Sequence, residues 1–237
     1  MLHRRSLPVA GRYVLLEEIG RGATGPVHRA RDLRTRSYVA AKVLRGGDPD
    51  ALLRFVREQA HRIDHPHVLS PLGWAAEDDL ALIAMELVRG GSLVDLLARE
   101  GSLPRPVVVL LLDQLLDALA AVHDLGVIHG DVKPANLLVR GGARPHLLLA
   151  DFGVASRRGQ PAPVGAGTPA YLPPERRAGA PPQPSQDVYA AGLVARRLLP
   201  AGSSLQTLCD SMTRTEPELR PTARAARRRL RELTAPS

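Results

Sequence analysis

Lysine is almost absent from this chain. Of 32 lysines and arginines, only Lys42 and Lys133 are lysines. Asparagine occurs once, as Asn136, three residues after Lys133 and five after Asp131. A planar guanidinium cannot replace a compact ammonium at a tight phosphate contact, so the two cations are not interchangeable there. Dealt at random among 32 basic positions, this pair would come up about once in five hundred draws, so a chemistry that rejects arginine is the better account. Asp131, Lys133 and Asn136 then make a polar cluster in one short loop, and such a cluster marks a site.

Other scarcities exclude whole classes. The single cysteine, Cys209, rules out an intramolecular disulfide, fits a reducing compartment and reads as a core residue. Aromatic residues make up 3% of the chain, which leaves little to stack on bases. The net charge of +8 and the cluster Arg224, Arg227, Arg228, Arg229 and Arg231 are therefore read as a solvated helix face, with no nucleic acid expected. The greasiest stretch, residues 107–122, carries Asp113, Gln114 and Asp117 and reads as a buried helix, not a membrane span. Residues 1–12 hold no apolar run, so neither a secretory signal nor a membrane anchor is expected, and a cytoplasmic location is.

What is present fits an α+β chain. With 237 residues and 44% hydrophobic content, one domain of two lobes can bury a core. Residues 13–16, 27–30, 38–44, 69–74 and 80–86 read as strands, and residues 50–63 as a helix stopped by His65-Pro66. After Gly90-Gly91 the texture becomes helical. Ser92 caps a helix to residue 99, and Pro106 opens a long one ending near Leu125-Gly126. Short strands follow at 137–139 and 147–150, then helices at 185–199, 205–212 and 222–233. Residues 153–184, rich in Pro, Gly and Ala, form a loop long enough to be functional. His61, Asp64, His65 and His67 resemble metal ligands in composition but read as a helix end and a His-Pro turn.

Gly20-Arg21-Gly22-Ala23-Thr24-Gly25-Pro26-Val27 lies between two strands, where glycines let a hairpin lie close over phosphates. A dinucleotide-binding fingerprint needs a helix next; here a strand follows. Val39-Ala40-Ala41-Lys42 puts a lysine on the third strand. From this point the chain resembles the eukaryotic-type serine/threonine protein kinase family, whose markers appear in order. Met85-Glu86-Leu87-Val88 is similar to its hinge. His129-Gly130-Asp131-Val132-Lys133-Pro134-Ala135-Asn136 is similar to its catalytic loop, and Asp151-Phe152-Gly153 to its metal-binding triplet. Gly167-Thr168-Pro169-Ala170-Tyr171 and Pro173-Pro174-Glu175 resemble the end of its activation segment.

The resemblance covers residues 13–233 and implies a bilobal fold over residues 1–237: an N-lobe of five antiparallel strands and one helix (1–85), a hinge (86–91) and a shortened helical C-lobe (92–237). It implies ATP and Mg²⁺ as cofactors and a protein with Ser/Thr acceptors as partner. Asp131 would accept the hydroxyl proton, Lys133 would offset phosphoryl charge, and Thr168 would contact both. Asn136 and Asp151 would hold the metal. Ile19, Gly20, Gly22, Gly25, Val27, Ala40, Lys42, Met85, Glu86, Val88 and Leu138 would line the ATP site. Glu58, His129, Phe152, Glu175, Asp187 and Arg220 would support it, with Glu58 pairing Lys42.

There are departures from the family pattern. Gly130 stands where the family has the arginine that binds a phosphorylated activation loop. Between Asp151 and Thr168 the only hydroxyl is Ser156, so activity independent of activation-loop phosphorylation is expected. Glu58 is off its usual spacing, and only 33 residues separate Asp187 from Arg220, a contracted interval. Pro26 removes a backbone donor at the start of the second strand. Two other readings stay open: a nucleotide-binding scaffold without catalysis, and a small-molecule phosphotransferase.

Overall fold

The structure is a computed structural model that describes residues 7–22, 25–46, 63–142, 144–160, 167–200 and 202–235. The helix expected over 50–63, with Glu58, lies outside these residues except for Ile63. The chain divides into two units: Met1–Arg62 with Leu69–Val88, and Ile63–Val68 with Arg89–Ser237. The division falls inside the expected hinge. Residues 63–68, expected in the first lobe, belong with the second unit.

The first unit is an antiparallel five-stranded sheet ordered β1-β2-β3-β5-β4. Its strands are β1 (Tyr13–Gly22), β2 (Gly25–Asp32), β3 (Ser37–Arg45), β4 (Gly73–Glu77) and β5 (Leu80–Glu86). Alternation sorts the residues: Ala30, Val39, Ala41, Val43, Leu82 and Ala84 pack as a core on one face around fully buried Tyr13. Cross-strand pairing puts Val27, Lys42 and Ile83 opposite one another, with Ala40 opposite Met85, on the other face. Pro26 is tolerated because pairing of β2 with β3 begins only at Val27, so no ladder donor is missing on that side.

β4 lies at Gly73–Glu77 and not at the expected 69–74. Val68 and Leu69 are as buried as strand residues. Val68, however, makes only one isolated parallel bridge, to Leu149. An apolar run reports burial, and burial alone does not choose a ladder.

Asp32 closes the start of the sheet. Its carboxylate accepts from Arg12 Nε (3.0 Å) and Nη2 (2.7 Å) and from the Arg34 backbone (2.9 Å). The Arg12 hydrogen bond outweighs burial and holds the carboxyl at about 2. Because the folded pKa lies below the unfolded one, the stabilisation is full above the unfolded value near 3.8 and disappears as pH falls toward 2. The Arg12 side chain remains 28% exposed, which discounts the pair to roughly 1–2 kcal/mol. Asp32→Asn is therefore expected to lower stability by that amount at pH 7 and by clearly less at pH 2, as urea titrations at the two pH values will read.

The second unit is mainly helical, with α1 (Leu93–Glu100), α2 (Arg105–Asp124), α3 (Pro174–Arg177), α4 (Pro184–Leu198), α5 (Gln206–Met212) and α6 (Ala223–Thr234). Two small sheets pair β6 (Val127–Ile128) with β9 (Ser156–Arg157) and β7 (Leu137–Arg140) with β8 (His146–Leu149). Ser92 and Asp95 form a reciprocal capping box that starts α1 at the expected place. α2 is long and apolar enough on composition to cross a membrane. All of its leucines but Leu110 are instead buried in the core of this unit, together with α4, α5 and α6. Cys209 is one of these core residues, and burial pushes its thiol up to about 11, so it stays neutral.

The other side of α2 carries acids that meet the arginine-rich α6. Asp113 accepts from both Arg227 and Arg231, Asp117 accepts from Arg227, and Asp124 from Arg224. Burial pushes the Asp113 carboxyl up, but its two guanidinium partners prevail and hold it below the usual range. The cluster expected to be a solvated face is thus, in three of its five arginines, an ion-paired seam holding the last helix to the longest one.

Candidate active site

A turn of 3-10 helix at Pro134–Asn136 folds the loop after β6 back on itself. Asn136 Nδ2 donates to the Asp131 backbone carbonyl (2.9 Å) and to Asp131 Oδ2 (3.0 Å). Lys133 Nζ lies 2.7 Å from the same Oδ2 and donates to Thr168 Oγ1, also at 2.7 Å. Thr168 Oγ1 in turn donates to Asp131 Oδ1 at 2.7 Å. Asp131, Lys133 and Thr168 thus close into one polar ring, with Asn136 bonded to its carboxylate, and Asp131 is only 9% exposed.

The ring rests on a buried aspartate. Asp187, 1% exposed at the start of α4, accepts from the backbone N–H of His129 (2.9 Å) and of Gly130 (2.8 Å). Its Oδ2 also meets His123 Nε2 at 2.9 Å. Burial alone pushes this carboxyl up, but the His123 hydrogen bond, with His129 and the Gly130 N–H, keeps it below its ordinary value. His123 is a site residue that reading the sequence missed. It stands in the last turn of α2, next to its final residue Asp124, and nothing local distinguishes it from a surface histidine.

His129 is fully buried and fixed at both ring nitrogens. Nδ1 accepts from the Asp131 N–H (3.2 Å), and Nε2 faces the Ala150 carbonyl (3.0 Å), which assigns the proton to Nε2. Phe152 meets its ring edge-on, with centroids 4.8 Å apart. Ala150 N–H donates to the Asn136 carbonyl at 2.9 Å, which ties the residue before Asp151 to the loop of Asn136. Asp151 has φ +68°, a left-handed conformation rare outside glycine and typical of functional positions.

Two glycines bring the far end of the activation segment onto the loop. Gly167 has φ +92°, and a Cβ there would sit 3.0 Å from the Gly130 carbonyl and 2.6 Å from Leu172 Cδ2. Only glycine allows this approach. Further on, Glu175 of α3 is held by Arg220 through two bonds, 2.6 Å and 2.9 Å. Arg220, expected as a supporting residue, also stacks at 4.8 Å over Tyr189.

In the first unit the glycine hairpin pairs Gly20 with Val27 and Gly22 with Gly25; Ala23 and Thr24 lie outside the described residues. A Cβ on Gly25 would fall 2.2 Å from the Val43 carbonyl, so this glycine is required by close backbone approach. Ile19 is half exposed beside it, whereas Ala40, Lys42 and Met85 are buried on one face of the sheet. β5 ends at Glu86, and Val88 is the last residue of this unit. Leu138, predicted with these residues, lies half-buried on β7 of the second unit.

The histidines near Pro66 are engaged in packing. His67 Nδ1 faces the Leu147 carbonyl (3.0 Å), His146 Nε2 faces the Pro66 carbonyl (2.7 Å), and the two rings lie 4.5 Å apart. His61 lies outside the described residues.

Residues 13–202 match the protein kinase domain model. The chain is 37% identical over 228 residues to the serine/threonine-protein kinase PkaA of Streptomyces coelicolor, covering 85% of this chain and 42% of that protein. It is 38% identical over 207 residues to Pkn3 of Myxococcus xanthus, covering 81% and 38%. It is also 32% identical over 200 residues to PrkC of Bacillus subtilis, covering 81% and 31%. The chain thus spans less than half the length of these curated relatives.

Proposed function

This chain belongs to the protein kinase domain family, and on that premise we propose that it transfers the terminal phosphoryl group of Mg²⁺-bound ATP to a serine or threonine hydroxyl of a protein substrate. The closed ring of Asp131, Lys133 and Thr168, with Asn136 bonded to its carboxylate, carries this reading. Asp131 accepts two hydrogen bonds that fix its plane, so it is poised to orient an incoming hydroxyl and take its proton. Lys133 bridges this carboxylate and Thr168, which puts a cation beside the point of transfer. Relatives of similar sequence are named serine/threonine kinases, which supports the acceptor class.

Asn136 and Asp151 fit a hard divalent cation. Asn136 spends its amide N–H groups on Asp131, which turns its carbonyl oxygen to other use, and oxygen donors of this kind suit Mg²⁺. When bound, the metal would neutralise charge on the phosphates. Lys42, buried on its sheet face, would meet the phosphates as a point charge, with the glycine hairpin covering them.

We also propose that the activation segment needs no phosphate. The backbone approach of Gly167 to Gly130 and the Thr168–Asp131 bond already dock its end on the loop. Gly130 carries no side chain to receive a phosphate.

Turnover of Mg-ATP with a generic serine- and threonine-bearing protein tests the function. Nucleotide binding with no transfer speaks for a scaffold, and transfer only to a small alcohol or amine for the third reading. Mass-spectrometric mapping of active enzyme is expected to find no stoichiometric phosphate between residues 156 and 168. A phosphate there whose removal abolishes activity sinks the second proposal.

A further inference from the structure

On one side of α6, away from the α2 seam, the second unit carries an open groove of about 620 Å³ bounded by α5, the turn before Arg220 and α6. Arg224, Arg227 and Arg231 recur at helical spacing and are bound to α2. Arg229, two residues from Arg227, points about 200° around the helix and lines the groove. Arg214 lines it from the other side, and both arginines are exposed. Asp210 is the one acid among the lining residues, and it already accepts from Arg196 (2.6 Å) and Gln206 (3.0 Å). The groove therefore offers two exposed guanidinium groups, and the one carboxylate among its described lining residues, Asp210, is engaged through Oδ1 by Arg196 and Gln206. Leu219, 53% exposed, and the partly exposed Pro221 add apolar surface to the same lining.

We propose that this groove docks an acidic stretch of the protein substrate that carries one apolar side chain. Guanidinium forks recognise carboxylates by paired hydrogen bonds, and Leu219 with Pro221 gives a neighbouring apolar side chain a place to bury. Charge complementarity selects this occupant over a basic or a purely apolar segment. The proposal rests on the kinase reading for the identity of the partner, but docking itself is measured without catalysis.

The test uses the full chain and a fluorescein-labelled decapeptide of glutamates around a single leucine, followed by fluorescence anisotropy at low salt. Saturable one-to-one binding is expected. Arg214→Glu or Arg229→Glu should each weaken it about tenfold, and Leu219→Ala severalfold. Arg228→Glu, on α6 but not among the lining residues, should change it less than about twofold. Circular dichroism checks folding, and Arg214→Gln gives a milder variant if charge reversal disturbs it. No saturable binding overturns the proposal. So does an equal loss with Arg228→Glu, equal binding of a leucine-free peptide, or equal competition by duplex DNA, because each marks unspecific attraction. Peptide binding by a chain that transfers no phosphoryl group leaves the groove standing and removes the kinase reading. Turnover without peptide binding does the reverse.

Discussion

Replacing Asp131 by asparagine is expected to reduce kcat for phosphoryl transfer by about 10²–10⁴-fold, the usual contribution of a positioned general base. Asparagine has nearly the same size, so the loop should survive. The chemistry should not. Asp131 Oδ1 accepts from Thr168 and Oδ2 from Asn136, and Oδ2 also pairs with the Lys133 ammonium at 2.7 Å. All the neighbours donate, and an amide can offer only one acceptor oxygen to them. Its NH₂ group must then face a donor, and no atom remains that can take a proton. In the proposed mechanism Asp131 does not hold the nucleotide, so KM for ATP should move by no more than a few-fold. Steady-state kinetics with a melting curve separates these terms. An unchanged kcat in a folded variant excludes Asp131 as the base.

The largest expected effect on stability is at Arg220. Its side chain is fully buried and makes five hydrogen bonds, two to Glu175 and one each to the carbonyls of Arg214, Ser185 and Thr215. Arg220→Ala removes all five and leaves the Glu175 carboxylate, with 18% of its side chain exposed, facing no cation. Breaking a buried pair from one side costs about 3–5 kcal/mol, because the orphaned charge stays desolvated. Arg220→Lys should recover only part of this, since an ammonium cannot bridge both carboxylate oxygens and reach three carbonyls. Urea unfolding followed by circular dichroism reads both values, and a loss under about 1 kcal/mol for the alanine variant contradicts the assignment. Glu175 also anchors α3, directly after Pro173, so kcat/KM for a protein substrate should fall alongside stability.

Much of the fold was legible because its signals are local. Ser92 and Asp95 announce a helix start three residues apart, and the structure builds that capping box. β5 and the helices of the second unit other than α3 fall within a residue or two of their expected bounds, since their apolar periodicity extends over many residues, whereas the four-residue α3 lies inside the stretch expected to be a loop. β4, expected at 69–74, was misplaced because Leu69 is buried without forming a ladder. The arginines of α6 were read as solvated because the acids that pair with them lie 100 to 118 residues earlier, on α2.

The sequence by itself determined the loop that the proposed mechanism uses. Asp131, Lys133 and Asn136 are within six residues, the loop turns on its own backbone, and chemistry that rejects arginine leaves its mark on composition. Tertiary structure decided what holds that loop in place. Thr168 comes from 37 residues beyond Asp131 and Asp187 from 57 beyond Gly130, and His123 joins only because α2 ends beside α4. Which arginines of α6 pair with α2 was likewise settled by packing. A hydrogen bond between distant residues leaves no periodicity in sequence, because its energy depends on where the chain returns and not on which residues are neighbours.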